Sequence, residues 1–440
     1  MTLSPAAAPS ATQQQASRLN VVSPVPSYSL PMPATPSPSS DAATAFNHRV
    51  ASMQPSATMA MKARAGAMRR EGHPVVALSA GEPDFATPQP ISDAGKQAID
   101  DGFTNYTDNP GMLALREAIV HKLAHDNDLT YTTDQILCSN GAKQSVALAI
   151  HVLCDVGDEV LIPAPYWVSY PEMARFAGAT PSVVSTSVED GYKLSPEALD
   201  DALTSDTRLL ILCSPSNPTG AVYTPDELAA LADVVRGYDD LFVLSDEIYE
   251  YVVFEAEHQA FAALPGMKER TVTINGFSKG FAMTGWRLGY MAGPESVVQQ
   301  AAKVQGQFTS APCSITQKAG VAALQMDMGP VHEMVAAFRK RRDYMVERLN
   351  ALDGVRCPTP QGAFYLFPDV SGVFGRTTPD GTSVENSDDV CFYLLENQYV
   401  ALVPGAAFGA PNGLRISYAS SMDDLETAMD RIEAGLEALS

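Results

Sequence analysis

From about residue 49 onward, segments with helical periodicity alternate with short apolar runs rich in β-branched residues. The helical segments include AKQSVALAIHVL, TPDELAALADVV and the long PVHEMVAAFRKRRDYMVERLNAL. Between them lie the apolar runs DEVLIPA, TRLLILCS, LFVLSDE and RTVTING. This alternation is typical of βαβ units. It predicts an α/β fold in which a mostly parallel sheet is flanked by helices.

The N-terminal segment 1–48 has a different composition, rich in Pro, Ser and Ala, and before residue 48 its only charges are Arg18 and Asp41. A segment of this kind buries too little apolar surface to offset its chain entropy, so we predict a disordered tail. It has neither the arginine content of a transit peptide nor the basic start and apolar core of a secretory signal. We therefore predict a cytoplasmic protein.

Composition excludes several classes of partner. No apolar run approaches the roughly 18 residues of a membrane span, so no membrane association is predicted. The 29 basic and 51 acidic residues give a net charge of −22, which argues against nucleic acid binding. The six cysteines form no CxxC pair, and no His/Cys spacing resembles a zinc site. We predict reduced, buried thiols and no metal.

Polar residues and turn formers follow four of the predicted strands, where ligands bind in parallel sheets. The motifs concerned are SNGAK, SPSNPTG, SDEIY and NGFSKGFAMTGWR. Because these strand ends meet at one edge of the sheet, we expect one site. Its candidate residues, with a tryptophan from the motif PAPYW, are Gly141, Ala142, Lys143, Trp167, Asn217, Asp246, Tyr249, Ser278, Lys279 and Arg287.

Several of these residue types suit chemistry on an aromatic aldehyde. The amine of Lys279 would form a Schiff base if it lost its proton near neutral pH. The Asp246 carboxylate would keep a pyridine nitrogen protonated, which makes such a ring an electron sink. Tyr249 and Asn217 would hold the ring's phenolic oxygen.

The remaining candidates suit the anionic end and the face of the same ligand. The amides of Gly141 and Ala142 open a predicted helix, whose dipole favours an anion, and Arg287 adds a positive charge. Trp167 would stack on the ring. Each motif alone is more often an ordinary turn, cap or surface lysine. The prediction of a single ligand site therefore depends on all of these motifs occurring together, each after a predicted strand.

The whole set resembles a known family. The stretches VALSAGEPDFATP, PAPYWVSYPEM, SPSNPTGAVY, VLSDEIYE, NGFSKGFAMTGWRLGY, QGAFYLF and LRISYA follow one another from about residue 49 to the C-terminus. They are similar to the class I aminotransferases of the fold-type I pyridoxal-phosphate enzymes, most closely the bacterial branch of aspartate aminotransferases. The resemblance implies transamination between L-aspartate and 2-oxoglutarate, with pyridoxal 5'-phosphate as cofactor.

It also implies roles for individual residues. Lys279 would carry the cofactor and then act as the base, while Asp246, Tyr249, Asn217 and Trp167 would hold the ring. The phosphate would be bound by Gly141, Ala142, Ser278 and Arg287. Tyr106 would reach the phosphate of a neighbouring subunit, which implies a homodimer with shared sites. The substrate α-carboxylate would lie between Arg415 and Gly81.

The resemblance leaves the amino acid substrate less defined. Lys143 together with Ser56 and Thr58 of the segment PSAT matches the group that binds the distal carboxylate in the bacterial branch. An aromatic, alanine or prephenate aminotransferase is the alternative, although relatives that accept prephenate carry a lysine where Gln54 stands here. A non-catalytic, ligand-sensing regulator of the same fold is a remote alternative, because the N-terminal segment cannot form a DNA-binding domain.

The predicted organisation places a large, cofactor-binding domain over residues 88–337. A small domain combines residues 49–87 with residues 338–440, and the long helix from Pro330 joins the two. Closure of the small domain on substrate would bring Arg415 into place and exclude water.

Overall fold

The computed structural model describes residues 46–440, and its centre is a seven-stranded sheet. The strands run in the order β2-β8-β7-β6-β5-β3-β4, and β8 alone is antiparallel to its neighbours. Their bounds are β2 (Ile136–Ser139), β3 (Glu159–Ala164), β4 (Thr180–Ser185), β5 (Thr207–Cys213), β6 (Phe242–Asp246), β7 (Thr271–Gly276) and β8 (Gly289–Ala292).

Both faces of this sheet are buried because the strand side chains alternate between two apolar layers. Val160 and Ile162 of β3 pack into a cluster with helix α5, whereas Leu161 packs with helix α8 on the opposite face. The helices of this part are α3 (Gln89–Asp100), α4 (Leu113–Asp126), α5 (Ala142–Leu153), α6 (Tyr170–Ala177), α7 (Pro196–Ala202), α8 (Pro225–Arg236), α9 (Glu295–Phe308) and α10 (Ser314–Gln325).

The two ends of the described chain share a separate hydrophobic cluster. Met61 and Leu78 from the first part pack with Phe364 and Ile416 from the last part. Two small sheets accompany this cluster: β1 pairs with β10 in parallel, and β11-β12-β9 is antiparallel. The elements are α1 (His48–Ala51), α2 (Ala57–Arg70), β1 (Val76–Ala77), β9 (Tyr365–Leu366), α12 (Ser387–Gln398), β10 (Val400–Ala401), β11 (Val403–Pro404), β12 (Leu414–Ser417) and α13 (Met422–Glu437).

The long helix α11 (Gly329–Asn350) connects these two parts. Val331 near its start packs into a cluster beside the large sheet, and Phe338 and Met345 farther along pack into the cluster of the chain ends. The described helices include none that is long and apolar enough to cross a membrane.

The predicted α/β class and the mostly parallel sheet are confirmed. The predicted tail lies outside the described residues except for its last three, Phe46, Asn47 and His48. Asn47 caps helix α1, which begins at His48, because the Asn47 side chain accepts a hydrogen bond from the Arg49 amide. Four cysteines are buried as predicted, whereas Cys213 is half-buried and Cys313 is exposed.

Candidate active site

A cavity of about 390 Å³ opens at the carboxyl ends of strands β5, β6 and β7. It brings together most of the residues that the sequence singled out, although they are spread over 360 positions of the chain. The predicted site residues that line it are Ser56, Thr58, Gly81, Ala142, Lys143, Trp167, Asn217, Asp246, Tyr249, Ser278, Lys279, Arg287 and Arg415.

The amine of Lys279 projects into this cavity from the loop after β7. Its Nζ donates a hydrogen bond to the carbonyl oxygen of Gly81 at 2.5 Å. Burial lowers the pKa of Lys279 to about 8, and the positive charges of Arg415 and Arg287 act in the same direction. The Glu82 carboxylate opposes this shift. Lys279 is therefore a lysine whose neutral, nucleophilic form is accessible near neutral pH.

Asp246 is the last residue of β6, and its carboxylate is buried below the cavity. Burial raises its pKa to about 6, although the hydroxyl of Tyr170 donates a hydrogen bond of 2.7 Å that favours the charged form. The Ile248 amide makes a second, longer hydrogen bond of 3.3 Å to the other carboxylate oxygen. A buried anion of this kind is suited to pair with a cation on a ligand.

Two buried tyrosines meet beside Lys279. The hydroxyls of Tyr249 and Tyr365 lie 2.8 Å apart, and the two rings contact each other edge to face. The Lys279 Nζ is 5.8 Å from the centre of the Tyr249 ring. Both hydroxyls are therefore available to a polar atom of a ligand bound near the lysine.

One end of the cavity is built to hold an anion. Helix α5 begins at Ala142, and Gly141 caps it with a φ of 83° and no side-chain hydrogen bond. The Arg287 guanidinium lies over this turn and donates to the carbonyl oxygen of Asn140 at 3.2 Å. Ser278 lines the same cavity. Free amides at a helix start beside a guanidinium form a favourable phosphate site.

The opposite end presents a buried guanidinium. Arg415 on β12 is 2% exposed and donates to the Asn217 side-chain oxygen at 3.0 Å and to the Ser79 carbonyl oxygen at 2.8 Å. Among the described residues its Nε has no hydrogen-bond partner. Gly81 lines the same cavity, and a Cβ there would lie 2.7 Å from the Tyr365 hydroxyl. The Arg415 end of the cavity is therefore suited to bind a carboxylate.

The rim of the cavity combines an aromatic ring with a cation. The Lys143 Nζ lies 5.0 Å from the centre of the Trp167 ring. Partial burial lowers the pKa of Lys143, and the charge of Arg287 contributes. Ser56 and Thr58, at the start of helix α2, complete this side of the cavity. This side of the cavity therefore presents one cation and two hydroxyl-bearing side chains.

Two predicted site residues, Gly141 and Tyr106, do not line this cavity. Gly141 caps the helix that borders it, and the Gly141 amide donates to the Ser139 carbonyl oxygen at 2.8 Å. Tyr106 lies on the surface. Its side chain is 98% exposed, and it lies in the loop before helix α4. Its proposed role requires a neighbouring subunit.

A cluster behind Asp246 also contains groups that bind metals in other proteins. Ligand atoms of Glu247, Glu250 and His258 lie within 4.8 Å of one another. However, Glu250 forms an ion pair with the buried Lys122, and Glu247 accepts from the Ser245 hydroxyl at 2.8 Å and contacts His258 at 3.0 Å. We interpret this cluster as an internal ion-pair network.

The sequence interpretation missed Tyr170, Tyr365 and Glu82. Tyr170 lies three residues after Trp167, so one motif delivers both an aromatic face and a hydrogen bond to Asp246. Tyr365 lies in the motif QGAFYLF, where it looks like one more apolar core residue. The roles of the two tyrosine hydroxyls become visible only in the folded structure, where their hydrogen-bond partners Asp246 and Tyr249 are known.

Comparison with known proteins agrees with this geometry. The profile described as Aminotransferase class I and II matches residues 73–432. An aspartate aminotransferase of Pinus pinaster is 53% identical over 88% of this chain and 80% of its own length. A Petunia hybrida protein named a bifunctional aspartate aminotransferase and glutamate/aspartate-prephenate aminotransferase is also 53% identical, over 88% of this chain and 82% of its own length.

Solved structures agree as well. The aspartate aminotransferase structure from Rhizobium meliloti superimposes with a TM-score of 0.88 at 42% identity, covering 90% of this chain and 99% of that one. The enzyme from Thermus thermophilus with maleate gives a TM-score of 0.83 at 40% identity, covering 88% and 99%. On these matches, which span most of its length, the chain belongs to the class I and II aminotransferase family.

Proposed function

We propose that this chain is a pyridoxal-phosphate-dependent aminotransferase that interconverts L-aspartate and 2-oxoglutarate with oxaloacetate and L-glutamate. One observation carries the proposal: a single cavity holds the half-buried Lys279 amine together with the buried Asp246 carboxylate and the buried Arg415 guanidinium. An amine, an anion and a carboxylate-binding cation in this arrangement suit amino-group transfer.

The residues present fit pyridoxal phosphate. The α5 start with Arg287 offers a phosphate site. A Cβ at Gly141 would fall 2.5 Å from the Arg287 Nη2 atom, so a larger residue at this turn would displace the guanidinium. Asp246 would pair with the pyridine nitrogen, and Tyr249 and Asn217 would hold the phenolic oxygen. When bound, the cofactor supplies an aldehyde for the amine and a conjugated ring that accepts electron density.

Different residues of the protein would then carry out substrate binding, proton transfer and stabilisation of the protonated cofactor nitrogen. Arg415 would bind the substrate α-carboxylate with its planar guanidinium, and Gly81, which lines the same cavity, has no side chain to compete with that group. The Lys279 Nζ would take the proton from the substrate α-carbon, a step for which a pKa of about 8 is suitable. The Asp246 carboxylate would keep its partner nitrogen protonated throughout.

The preference for a dicarboxylic substrate is supported by the rim of the cavity. Lys143 would pair with the distal carboxylate, and Ser56 and Thr58 would donate hydrogen bonds to it. The related Thermus thermophilus structure was solved with maleate, which is itself a dicarboxylate. Several relatives at 42–53% identity carry the name aspartate aminotransferase.

Prephenate is the second candidate substrate, because the 53% identical Petunia hybrida relative is named for it as well. The observation against it is Gln54, an exposed residue at the position where, by the family resemblance, some relatives that accept prephenate carry a lysine. We therefore propose that aspartate is preferred.

We also propose the assembly and location that the sequence predicted. Two chains would form a homodimer in which the exposed Tyr106 of each reaches the phosphate site of the other. Residues 88–337 would form the large domain and residues 49–87 with 338–440 the small one, a division supported by the cluster that the chain ends share. We propose that the enzyme works in the cytoplasm.

The visible spectrum of the purified protein tests the function. After loading with pyridoxal phosphate, we expect an absorption band of the bound cofactor that bleaches on addition of aspartate and also of glutamate. A band that responds to neither amino acid would contradict the substrate proposal and leave the cofactor proposal standing. Absence of any band after loading would contradict both.

A further inference from the structure

The geometry points to Tyr365 as a further positioning residue: its hydroxyl donates to Tyr249 and so directs the Tyr249 proton into the cavity. This inference rests on the proposed function, because the atom that would receive the Tyr249 proton belongs to the cofactor.

The contacts of Tyr365 place it between the two ends of the site. Its hydroxyl is 2.8 Å from that of Tyr249, and its ring centre lies 4.7 Å from the central carbon of the Arg415 guanidinium. The backbone of Tyr365 pairs with Ser417, so its position is fixed by the same small sheet that carries Arg415. The side chain is fully buried.

A count of protons limits the arrangements of this pair. Burial raises the pKa of both tyrosines, so each carries one proton at neutral pH. Neither hydroxyl has another hydrogen-bond partner within residues 46–440. If Tyr249 donated to Tyr365, it would present only lone pairs to the cavity. If Tyr365 donates, the Tyr249 proton is free to bind a ligand oxygen.

The charge of Arg415 decides between the two arrangements. The Arg415 guanidinium lies 4.7 Å from the centre of the Tyr365 ring, closer than the 5.8 Å between the Lys279 Nζ and the centre of the Tyr249 ring, and its charge opposes the rise in the pKa of both tyrosines. Because the closer cation packs on Tyr365, the hydroxyl of this residue is the better donor of the pair. A hydroxyl that accepts one hydrogen bond also becomes a stronger donor in its own.

The consequence is a shift in a titration of the bound cofactor. A donor at the cofactor's phenolic oxygen stabilises the form in which that oxygen is negative, which lowers the pH at which the bound chromophore loses its proton. Removal of the Tyr365 hydroxyl weakens this donor. The midpoint of the chromophore should therefore rise in Tyr365→Phe, by about 0.5 pH unit for the loss of one modest hydrogen bond.

The experiment is a spectrophotometric pH titration of the holoenzyme. The variants are Tyr365→Phe, Tyr249→Phe and the double variant, and Phe retains the ring that packs on Arg415. Tyr418→Phe is the matched control, because its buried hydroxyl donates to the Ala363 carbonyl oxygen at 3.2 Å and does not line the cavity. We expect a raised midpoint in Tyr365→Phe, no change in Tyr418→Phe, and no further rise when Tyr365→Phe is added to Tyr249→Phe.

Three results would overturn the inference alone: an unchanged midpoint in Tyr365→Phe, an equal rise in Tyr418→Phe, or a full additional rise in the Tyr249→Phe background. In each case the wild-type protein still shows a titrating band, so the proposed function stands. If wild-type protein shows no band after loading, the proposed function fails and the inference falls with it.

Discussion

Asp246 carries the negative charge that would pair with the cofactor, but it is buried, where a charged carboxylate is unfavourable. Its carboxylate is buried, and burial raises its pKa from the usual 3.8 to about 6. Between these two pH values the folded protein binds more protons than the unfolded chain, so the stability of the cofactor-free protein falls as the pH rises through this window. The cofactor-free fold therefore carries a destabilising anion at neutral pH.

Replacing Asp246 with Asn should remove the destabilisation caused by this buried anion. We expect cofactor-free Asp246→Asn to exceed the wild type in free energy of unfolding by about 1 to 3 kcal/mol near pH 7.5, with little difference near pH 4. Denaturant unfolding at both pH values measures this. Asp240→Asn, at an exposed carboxylate, is the control and should change little. An Asp246→Asn difference that does not vary with pH would contradict the account.

Lys143 is the residue on which substrate choice depends. Lys143→Ala should raise KM for aspartate about tenfold or more while changing KM for alanine little, because only aspartate has a distal carboxylate. Lys143→Arg, which keeps the positive charge, should raise KM for aspartate less than Lys143→Ala does. Steady-state kinetics with both amino acids measure the effect. Equal losses for the two substrates would exclude Lys143 as the distal-carboxylate group.

Residues were predictable where their chemistry is unusual for their position. A lysine and an aspartate directly after apolar strands are rare in a core, so Lys279 and Asp246 could be singled out from the sequence. Tyr170 and Tyr365 could not, because a tyrosine within an apolar run is most often a packing residue. The Tyr170 hydroxyl donates to the Asp246 carboxylate 76 positions away, and the Tyr365 hydroxyl contacts the Tyr249 hydroxyl 116 positions away.

Helix α5 shows how one element creates a binding site through its first turn. Gly141 has a φ of 83°, and a Cβ there would meet the Arg287 guanidinium. Gly141→Ala should both strain the backbone and displace Arg287, so we expect at least a tenfold weaker affinity for pyridoxal phosphate. A fluorescence or absorbance titration of the cofactor-free protein measures it.

The control for this prediction is another glycine with positive φ. Gly157 has a φ of 103°, but a Cβ there would have no atom within 4 Å. Gly157→Ala should lower stability by about 1 kcal/mol through backbone strain and leave cofactor affinity unchanged. If both variants lose affinity equally, backbone strain and not displacement of Arg287 is the cause.

Elements were predictable where they are long or strongly apolar. The predicted strands before Asp246 and Asn217 and the helix after Gly141 agree with the structure to within a residue or two. Strands β1, β9, β10 and β11 each have only two residues, which is too short for a periodic pattern. They form only because the two ends of the described chain meet, and this meeting depends on contacts distant in sequence.

The molecule as a whole joins segments that are far apart in the chain. Arg341 on α11 forms two hydrogen bonds with the Asp84 carboxylate, at 2.7 and 2.9 Å, and so holds the segment that contains Gly81. Arg415 reaches back to Ser79 in the same segment. The α-carboxylate end of the cavity is therefore built from both ends of the chain, in agreement with the proposed small domain.

The proposed dimer makes a prediction about mixed subunits. Lys279→Ala chains and Tyr106→Ala chains should each be poorly active alone, because every site needs one residue from each chain. Reassorted mixtures should regain about a quarter of wild-type activity, since half of the dimers are mixed and each mixed dimer has one intact site. Mixtures that regain nothing, although mixed dimers have formed, would contradict sharing of Tyr106.

Attachment of the cofactor to Lys279 is the step on which the proposed function depends, and chemical trapping detects it. The holoenzyme is reduced with borohydride, digested, and analysed by mass spectrometry, with Lys143→Ala treated in parallel to exclude the other lysine that lines the cavity. We expect Lys279 to carry the mass of reduced pyridoxal phosphate in both proteins. Modification of a different lysine, or none in a protein that still transaminates, would contradict it.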